Sequence, residues 1–262
     1  MVILGERDDV DVVVEMVGGS DGPALALART TIEAGKALVT ANKAMIAHHG
    51  LELAAKAEDK KVALKFEAAV AGGIPVIKGL REGAAANAFE RVYGILNGTC
   101  NYILTRMSQA GLSYTDALGE AQEKGYAEAD PAADVEGGDA ADKIAILSGL
   151  AYGGSIERSA IPTEGINRLQ ARDVNYAAQL GYVVKLVATA QCLGIDADGT
   201  VQLDVRVNPT LLPKEHPLAG VHGVNNAILV EGDPVGRVMF YGPGAGAGPT
   251  ASAVVADILN IA

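Results

Sequence analysis

Along the first 70 residues, strand-like apolar stretches take turns with helical patterns, which is typical of a parallel α/β layer. Three stretches read as strands, and the first is a nearly continuous apolar run, which suits a strand buried on both faces of a sheet. Helical patterns lie between them, and the first has Pro23 near its first turn and Gly35 at its end. The segments predicted as strand, helix, strand, helix and strand are residues 10–22, 23–35, 36–43, 44–60 and 61–70.

The pattern changes after residues 71–85. A strand and several helices come first, and the later part is richer in strand-like segments, which predicts an α+β arrangement with a mostly antiparallel sheet. Ser113, with an acid three residues later, marks the start of a capped helix. The predicted strands are 88–96, 182–193, 201–209, 226–233 and 235–242, and the predicted helices are 97–111, 113–125, 139–153 and 250–262.

Composition and charge narrow the class of protein. The 262 residues, 49% of them hydrophobic, suffice for one large domain or two ordinary ones. A net charge of -11, no Trp and only 4% aromatic residues argue against nucleic-acid binding. No apolar run approaches the ~20 residues that span a bilayer, so we expect a cytoplasmic protein without membrane or nucleic-acid partners. The isolated Cys100 and Cys192 are predicted to be buried, reduced thiols.

Two glycine-rich loops come near the GxGxxG pattern that holds the pyrophosphate of a dinucleotide. Residues 18–22 follow a strand and open a helix, but their glycine spacing differs from GxGxxG. Gly19 could therefore lie near a cofactor, or the loop could be a turn without such a role. Residues 242–251 fail as a pyrophosphate site, because no βαβ unit follows, yet they could close over a ligand. We therefore expect a nucleotide-binding fold of this kind to begin upstream of Met1.

The segment 126-YAEADPAADVEGGDAADK-143 places six acids before a lysine and has three interpretations. It suits a solvated loop, because short acids and glycines favour turns and helix N-termini. It also suits a metal-binding loop, although the EF-hand order is missing. The third interpretation is catalytic: Asp139 and Lys143 are four residues apart and share one helix face, and Glu128 adds an acceptor for an ammonium group. That set would suit a zwitterionic amino-acid ligand.

Five motifs along the chain together resemble homoserine dehydrogenase. They occur in the order of that family and cover almost the whole chain, and the long acidic segment with its lysine is the most specific of them. The motifs are 40-TANKA-44, 67-EAAVAGGIPVIK-78, 94-GILNGTCNYI-103, 125-GYAEADPAADVEGGDAADK-143 and 239-MFYGPGAG-246. Cys100 departs from the family, which commonly has a hydroxyl residue at that position.

The resemblance implies a role for each matching residue. Lys143 resembles the catalytic acid/base at the substrate oxygen, and Lys43 the second active-site lysine, near both cofactor and substrate. Asp139 and Glu128 resemble the substrate-binding acids. Gly125 and Gly246 resemble backbone contacts around the nicotinamide. A monovalent cation site, usually for sodium, is implied at Glu67 with the carbonyl groups of Val70, Gly72 and Ile74, and oxygen ligands of this kind suit a hard cation.

The resemblance also implies the fold and the reaction. We expect a partial Rossmann-like parallel sheet in residues 1–76, an α+β substrate-binding and dimerisation domain in residues 77–240, and a closing loop and helix in residues 241–262. The reaction implied is the interconversion of L-aspartate 4-semialdehyde and L-homoserine with NADP or NAD, on the route to threonine and methionine, by a homodimer. Because the GxGxxG unit is missing, cofactor binding is expected to be impaired, and a non-catalytic amino-acid-binding or oligomerisation module is the alternative.

Overall fold

A three-stranded parallel sheet forms the first part of the protein. In the computed structural model, which describes residues 3–154 and 156–261, the strand order is β1-β2-β3. The strand β1 pairs only with β2, so its other edge carries no strand among the described residues. The elements are the short helix α1 (Ile3–Glu6), β1 (Val12–Glu15), α2 (Pro23–Glu33), β2 (Ala37–Thr40), α3 (Lys43–Lys60) and β3 (Leu64–Lys65).

The third strand is much shorter than the predicted run of residues 61–70. Only Leu64 and Lys65 pair with β2, and a 3-10 turn follows at Glu67–Ala69. The buried Glu67 side chain explains the break, because its carboxylate accepts hydrogen bonds from the backbone N–H groups of Ile77 and Lys78, both at 2.9 Å. The chain is thereby turned back on itself instead of continuing as a strand.

A five-stranded antiparallel sheet forms the second part, as the later sequence pattern predicts. Its strand order is β6-β5-β4-β7-β8, and the last two strands form a hairpin. The strands are β4 (Ala88–Ile95), β5 (Tyr182–Ile195), β6 (Val201–Pro213), β7 (Asn225–Asp233) and β8 (Gly236–Pro243). Together the two sheets confirm the predicted class, a partial parallel sheet followed by an α+β region.

Helices cover one face of the antiparallel sheet and form the main core with it. Helix α8 is largely buried, and its Ile144 and Leu147 are fully enclosed. The helix α9 was not predicted, although Asp173, which accepts from the backbone N–H of Gln170, completes a capping box at its start. The helices are α4 (Val76–Lys78), α5 (Gly98–Ala110), α6 (Tyr114–Glu123), α7 (Ala132–Val135), α8 (Gly138–Tyr152) and α9 (Ala171–Gln179).

The last helix, α10 (Ala247–Leu259), brings the chain back to its beginning. The buried Asp257 accepts a hydrogen bond of 2.8 Å from the backbone N–H of Glu67, which fixes α10 beside the parallel sheet. The loop before α10 is thus held between the two sheets. None of the described helices combines the length and the apolar character that crossing a membrane requires.

The two cysteines differ in their surroundings. Cys100 is fully buried at the start of α5, as predicted. Cys192 is only partly buried, so that prediction is wrong for it. The reason is its place near the end of β5, where the strand leaves the core and the following Leu193 is 62% exposed.

Candidate active site

Helix α8 presents Asp139 and Lys143 on one face, as their spacing predicts. Lys143 Nζ lies 2.7 Å from Asp139 Oδ2 and 2.8 Å from the carbonyl oxygen of Leu96. Both side chains are buried, with 6% of Asp139 and 9% of Lys143 exposed. An ammonium has three N–H groups, so these two acceptors leave one N–H of Lys143 for a ligand.

The start of α8 depends on a glycine. Gly137 takes a positive φ of 89° at the N-cap, and a Cβ there would lie 2.9 Å from the side chain of Thr163. A larger residue would therefore strain the turn and push α8 away from its neighbours. Asp139 in the first helical turn is also favoured by the helix dipole.

Lys43 reaches the same carboxylate from the other part of the molecule. Its Nζ lies 2.7 Å from Asp139 Oδ1, while 42% of its side chain remains exposed. Asn42 caps α3 by accepting from the backbone N–H of Met45, which makes Lys43 the first residue of that helix. A cation is unfavourable at a helix N-terminus because of the helix dipole. The contact with Asp139 offsets this unfavourable interaction of the Lys43 ammonium.

The two lysines keep Asp139 ionised. Burial alone would raise the pKa of Asp139, but the neighbouring charges of Lys143 and Lys43 outweigh it and hold the pKa well below its usual range. Burial likewise favours a lower pKa for Lys43, and Asp139 reverses the shift, so the pKa is raised. The three groups therefore form an ion cluster around the buried Asp139 carboxylate, with one negative and two positive charges.

Asn97 is a site residue that the sequence analysis missed. Its Nδ2 donates to Asp139 Oδ2 at 2.9 Å and to Asp134 Oδ1 at 2.6 Å, and its Oδ1 accepts from the backbone N–H of Cys100. It stands in the NGTC motif, directly before α5. An asparagine in a helix-capping position was the available signal, but its contacts with two distant acids are set by the fold.

A cleft of about 520 Å³ opens beside this cluster. One wall is the turn around Gly125 and Glu128, which Thr99 anchors by donating to the carbonyl of Tyr126 at 2.7 Å. The opposite wall is the loop before α10, with Gly246 at a φ of 116°. The predicted residues in this cleft are Lys43, Gly125, Glu128, Asp139, Lys143 and Gly246.

Glu128 and Gly19 differ in how they relate to the cleft. Glu128 is exposed and lines the rim, where its carboxylate is accessible to a ligand. Gly19 does not line the cleft. Its carbonyl accepts a hydrogen bond of 2.8 Å from Nδ2 of Asn42, the residue that precedes Lys43. Gly19 is therefore connected to Lys43 through Asn42.

The residues of the expected cation site form a turn that packs on the loop before α10. Gly72 takes a φ of 55°, and a Cβ there would lie 2.8 Å from the carbonyl oxygen of Gly244. Val70 and Ile74 are buried on either side of it, and the Glu67 carboxylate is already held by two backbone N–H groups. The turn thus positions the cleft wall that contains Gly244 and Gly246.

The remaining acids of the segment have other contacts. Asp142 pairs with Arg158 at 2.7 Å, and Asp130 accepts from the backbone N–H of Ala132 at 3.2 Å. Among the residues that the structure describes, no group of three or more His, Cys, Asp or Glu side chains could hold a metal ion. The structure therefore gives no support to the metal-binding interpretation of the segment. The solvated-loop interpretation is also incomplete, because α7 forms inside the segment and Asp139 is buried.

Comparison with known proteins decides the family. The family model described as "Homoserine dehydrogenase" matches residues 75–259, and the one described as "Homoserine dehydrogenase, NAD binding domain" matches residues 2–67. The chain belongs to the homoserine dehydrogenase family. This confirms the resemblance seen in the sequence motifs. It also confirms that the first part of the chain is of the NAD-binding type.

Individual homoserine dehydrogenases are similar over almost the whole chain. The enzyme of Synechocystis is 52% identical over 253 residues, which are 97% of this chain and 58% of that protein. The crystal structure of a homoserine dehydrogenase from Thiobacillus denitrificans has a TM-score of 0.92 at 49% identity, covering 97% of this chain and 57% of that one. A hyperthermophilic archaeal homoserine dehydrogenase mutant in complex with NADPH has a TM-score of 0.84 at 30% identity, covering 99% and 74%. The chain thus spans about 58% of the length of its Synechocystis relative.

Proposed function

We propose that this protein interconverts L-homoserine and L-aspartate 4-semialdehyde with a nicotinamide cofactor. The proposal rests on the position of Lys143. Its buried ammonium lies beside the cleft, and two acceptors leave one of its three N–H groups for a ligand. Aldehyde reduction needs a proton at the oxygen that develops negative charge, and a positioned lysine supplies it. When bound, the nicotinamide supplies the hydride that goes to the aldehyde carbon.

In the reduction, Lys143 gives its free proton to the substrate oxygen and becomes a neutral amine. In the oxidation, the amine takes the proton back from the hydroxyl group of homoserine. Asp139 and the carbonyl of Leu96 hold the nitrogen in place during both steps, because neither contact involves the transferred proton. A proton donor fixed in this way can act at the correct distance without reorganising.

Substrate recognition is assigned to the groups on the cleft walls. Glu128 at the rim offers a carboxylate to the substrate ammonium, and Asp139 acts through the two lysines that it holds. Lys43 keeps two N–H groups beyond its contact with Asp139, so it can donate to substrate or cofactor oxygens. This division matches a small zwitterionic amino acid.

The cofactor proposal rests on the first part of the chain and on the loop before α10. Residues 2–67 match the NAD-binding family model, and the archaeal relative is a complex with NADPH. Gly125 and Gly246 line the cleft with backbone groups that a flat nicotinamide ring can approach closely. We infer weak cofactor binding by these 262 residues, because no loop among them has the GxGxxG spacing.

A monovalent cation, sodium in the first instance, is proposed at the turn of residues 67–74. Among the described residues no donor binds the carbonyl oxygens of Val70 and Gly72, which leaves them open to a cation. The carbonyl of Ile74 accepts from the backbone N–H of Val76 at 2.7 Å. The cation would brace the turn on which the loop before α10 packs, and a thermal shift that is larger in NaCl than in an equal concentration of choline chloride would support it.

A homodimer through the antiparallel sheet is proposed from its exposed apolar side chains. Leu193, Ile195 and Leu211 on β5 and β6 are 62%, 68% and 54% exposed, and Tyr241 on β8 is 56% exposed. Apolar groups of this size on a sheet face are typical of an interface. Light scattering coupled to gel filtration gives the mass in solution directly.

The proposed function is tested by following homoserine-dependent reduction of NADP and of NAD. We expect slow turnover by the chain alone and a large increase in a fusion that carries a dinucleotide-binding unit with a GxGxxG loop before residue 2. Absence of turnover in that fusion, with homoserine binding still measurable by calorimetry, would instead favour a non-catalytic amino-acid-binding module. The Lys143→Ala form of the fusion is the matched control.

A further inference from the structure

Asn97 uses every hydrogen-bonding group of its side chain. One N–H goes to Asp134 on α7 and the other to Asp139 on α8, while the oxygen caps α5 through the N–H of Cys100. The residue is 4% exposed. Three helices therefore meet at a single side-chain amide, at the base of the candidate cleft.

The two carboxylates beside Asn97 have different tasks. Asp139 binds both lysines, whereas Asp134 has neither lysine within ion-pair distance and lines the cleft. Two carboxylates that approach one another favour protonation of one of them, because like charges repel. An amide that donates one N–H to each holds both in place and adds no charge of its own.

We propose that Asn97 is the positioning residue that holds the carboxylates of Asp139 and Asp134 side by side, and so fixes the lysine pair in its working geometry. The inference rests on the proposed function for its catalytic meaning, but the electrostatic role can be measured without turnover. Only a side chain with two donors and one acceptor satisfies all three contacts.

The arrangement distinguishes Asn97 from an ordinary helix cap. A cap needs one acceptor for a backbone N–H, which Ser or Asp provides equally well. The charged and titratable groups that face the amide come from three helices besides its own. They are Asp134 on α7, Asp139 and Lys143 on α8, Lys43 on α3 and Cys100 on α5. Replacing the amide by a carboxylate would keep the cap and place a third negative charge among them.

The test compares Asn97→Asp with Asn97→Ser by chemical denaturation at pH 5 and pH 7. Both variants keep a side-chain acceptor at the N-cap of α5, so neither loses the cap. In Asn97→Asp the crowded carboxylates have raised pKa values, the folded state binds the extra proton, and stability is lost as the pH rises. We therefore expect the loss of stability in Asn97→Asp to be larger at pH 7 than at pH 5, and the loss in Asn97→Ser to be equal at both.

Turnover gives a second, independent readout. In the active enzyme, Asn97→Asp should lower kcat at pH 7 by about tenfold or more and move the acidic limb of kcat/KM to higher pH. Ser113→Ala, which removes an exposed cap from α6, is the control and should leave the pH profile unchanged. Equal, pH-independent losses of stability in the two Asn97 variants would overturn the proposal. If the wild-type enzyme shows no turnover while the pH-dependent difference is present, the proposed reaction fails and the role of Asn97 stands.

Discussion

Lys43 at the start of α3 and Asp139 in the first turn of α8 are joined by a contact of 2.7 Å between Nζ and Oδ1. The two residues belong to different parts of the chain, one beside the parallel sheet and one beside the antiparallel sheet. Because the same carboxylate also holds Lys143, this one residue fixes the position of Lys143 relative to the part of the chain that matches the NAD-binding family model. Relative placement of this kind is what hydride transfer requires.

Removal of the Asp139 carboxylate should destabilise the protein strongly at neutral pH. Asp139→Ala leaves Lys143 buried without its partner, which costs about 3–5 kcal/mol in comparable cases. The pKa of Asp139 is lowered in the folded state, so its contribution is present above the ordinary aspartate pKa and is lost as the pH falls below it. Urea denaturation at pH 7 and pH 3.5 should show a smaller difference between wild type and variant at the lower pH. A difference that grows toward low pH would contradict the ion cluster.

The buried Lys185 should make the stability of the protein depend on pH in the alkaline range. Burial lowers the pKa of Lys185 to about 8, and its Nζ donates to Asn101 Oδ1 at 2.9 Å with no acid within ion-pair distance in the described chain. The folded state loses its proton before the unfolded state does, so wild type should gain stability relative to Lys185→Met as the pH rises from about 8 toward 10. Denaturation at pH 7 and pH 9.5 checks the sign, and an unchanged difference would show that the ammonium is not desolvated.

The two thiols should react with a thiol reagent at very different rates. Burial raises the pKa of Cys100 well above its usual value, and its Sγ donates to the carbonyl of Asp134 at 3.2 Å. Cys192 is partly exposed. We expect one fast equivalent in native protein and two after denaturation, with the fast one absent from Cys192→Ser. Fast labelling of Cys100 would contradict the packing of α5 described above.

Cys100→Ser should preserve the site. A hydroxyl group donates to the carbonyl of Asp134 as the thiol does, so activity is expected to remain within about threefold of wild type, whereas Cys100→Ala leaves that carbonyl without its donor. Initial rates with homoserine measure both variants side by side. Equal rates in all three forms would show that the contact is dispensable.

The loop before α10 should reject a methyl group at Gly244, whereas the first turn of α10 should tolerate one at Gly248. A Cβ on Gly244 would lie 1.6 Å from Asn226 Oδ1, so Gly244→Ala must displace the cleft wall. Gly248 has no atom within 4 Å of such a Cβ and lies in the first turn of α10, where Ala is the better helix former by about 1 kcal/mol. Cofactor affinity measured by fluorescence should fall in Gly244→Ala and hold in Gly248→Ala, and a reversed order would refute the assigned position of the loop.

Much of the fold was predictable from local pattern. The buried parallel strands, the amphipathic α2 and α3 and the later hairpin all follow from apolar periodicity and from glycine or proline at their ends. The short length of β3 was not predictable, because the strand ends where the Glu67 carboxylate accepts hydrogen bonds from two backbone N–H groups ten and eleven residues later. Long-range capture of this kind leaves no periodic signal.

The candidate site was predictable only in part. Helical spacing brings Asp139 and Lys143 together, and the structure bears out that geometry. The contact of Lys43 with Asp139 and the two contacts of Asn97 join residues separated by dozens of positions. No rule of spacing relates them, so they emerge only when the two sheets and their helices are assembled.

The steady-state turnover of Lys143→Ala in the active enzyme measures the proposed role of Lys143 as proton donor. Loss of the positioned proton donor should lower kcat by about 10²–10⁴-fold, with the homoserine KM changed much less and the fold intact by circular dichroism. Lys78→Ala, which removes an exposed lysine outside the cleft, should retain wild-type turnover and serves as the matched control. Near-wild-type kcat in Lys143→Ala would contradict the assignment of Lys143 as the proton donor.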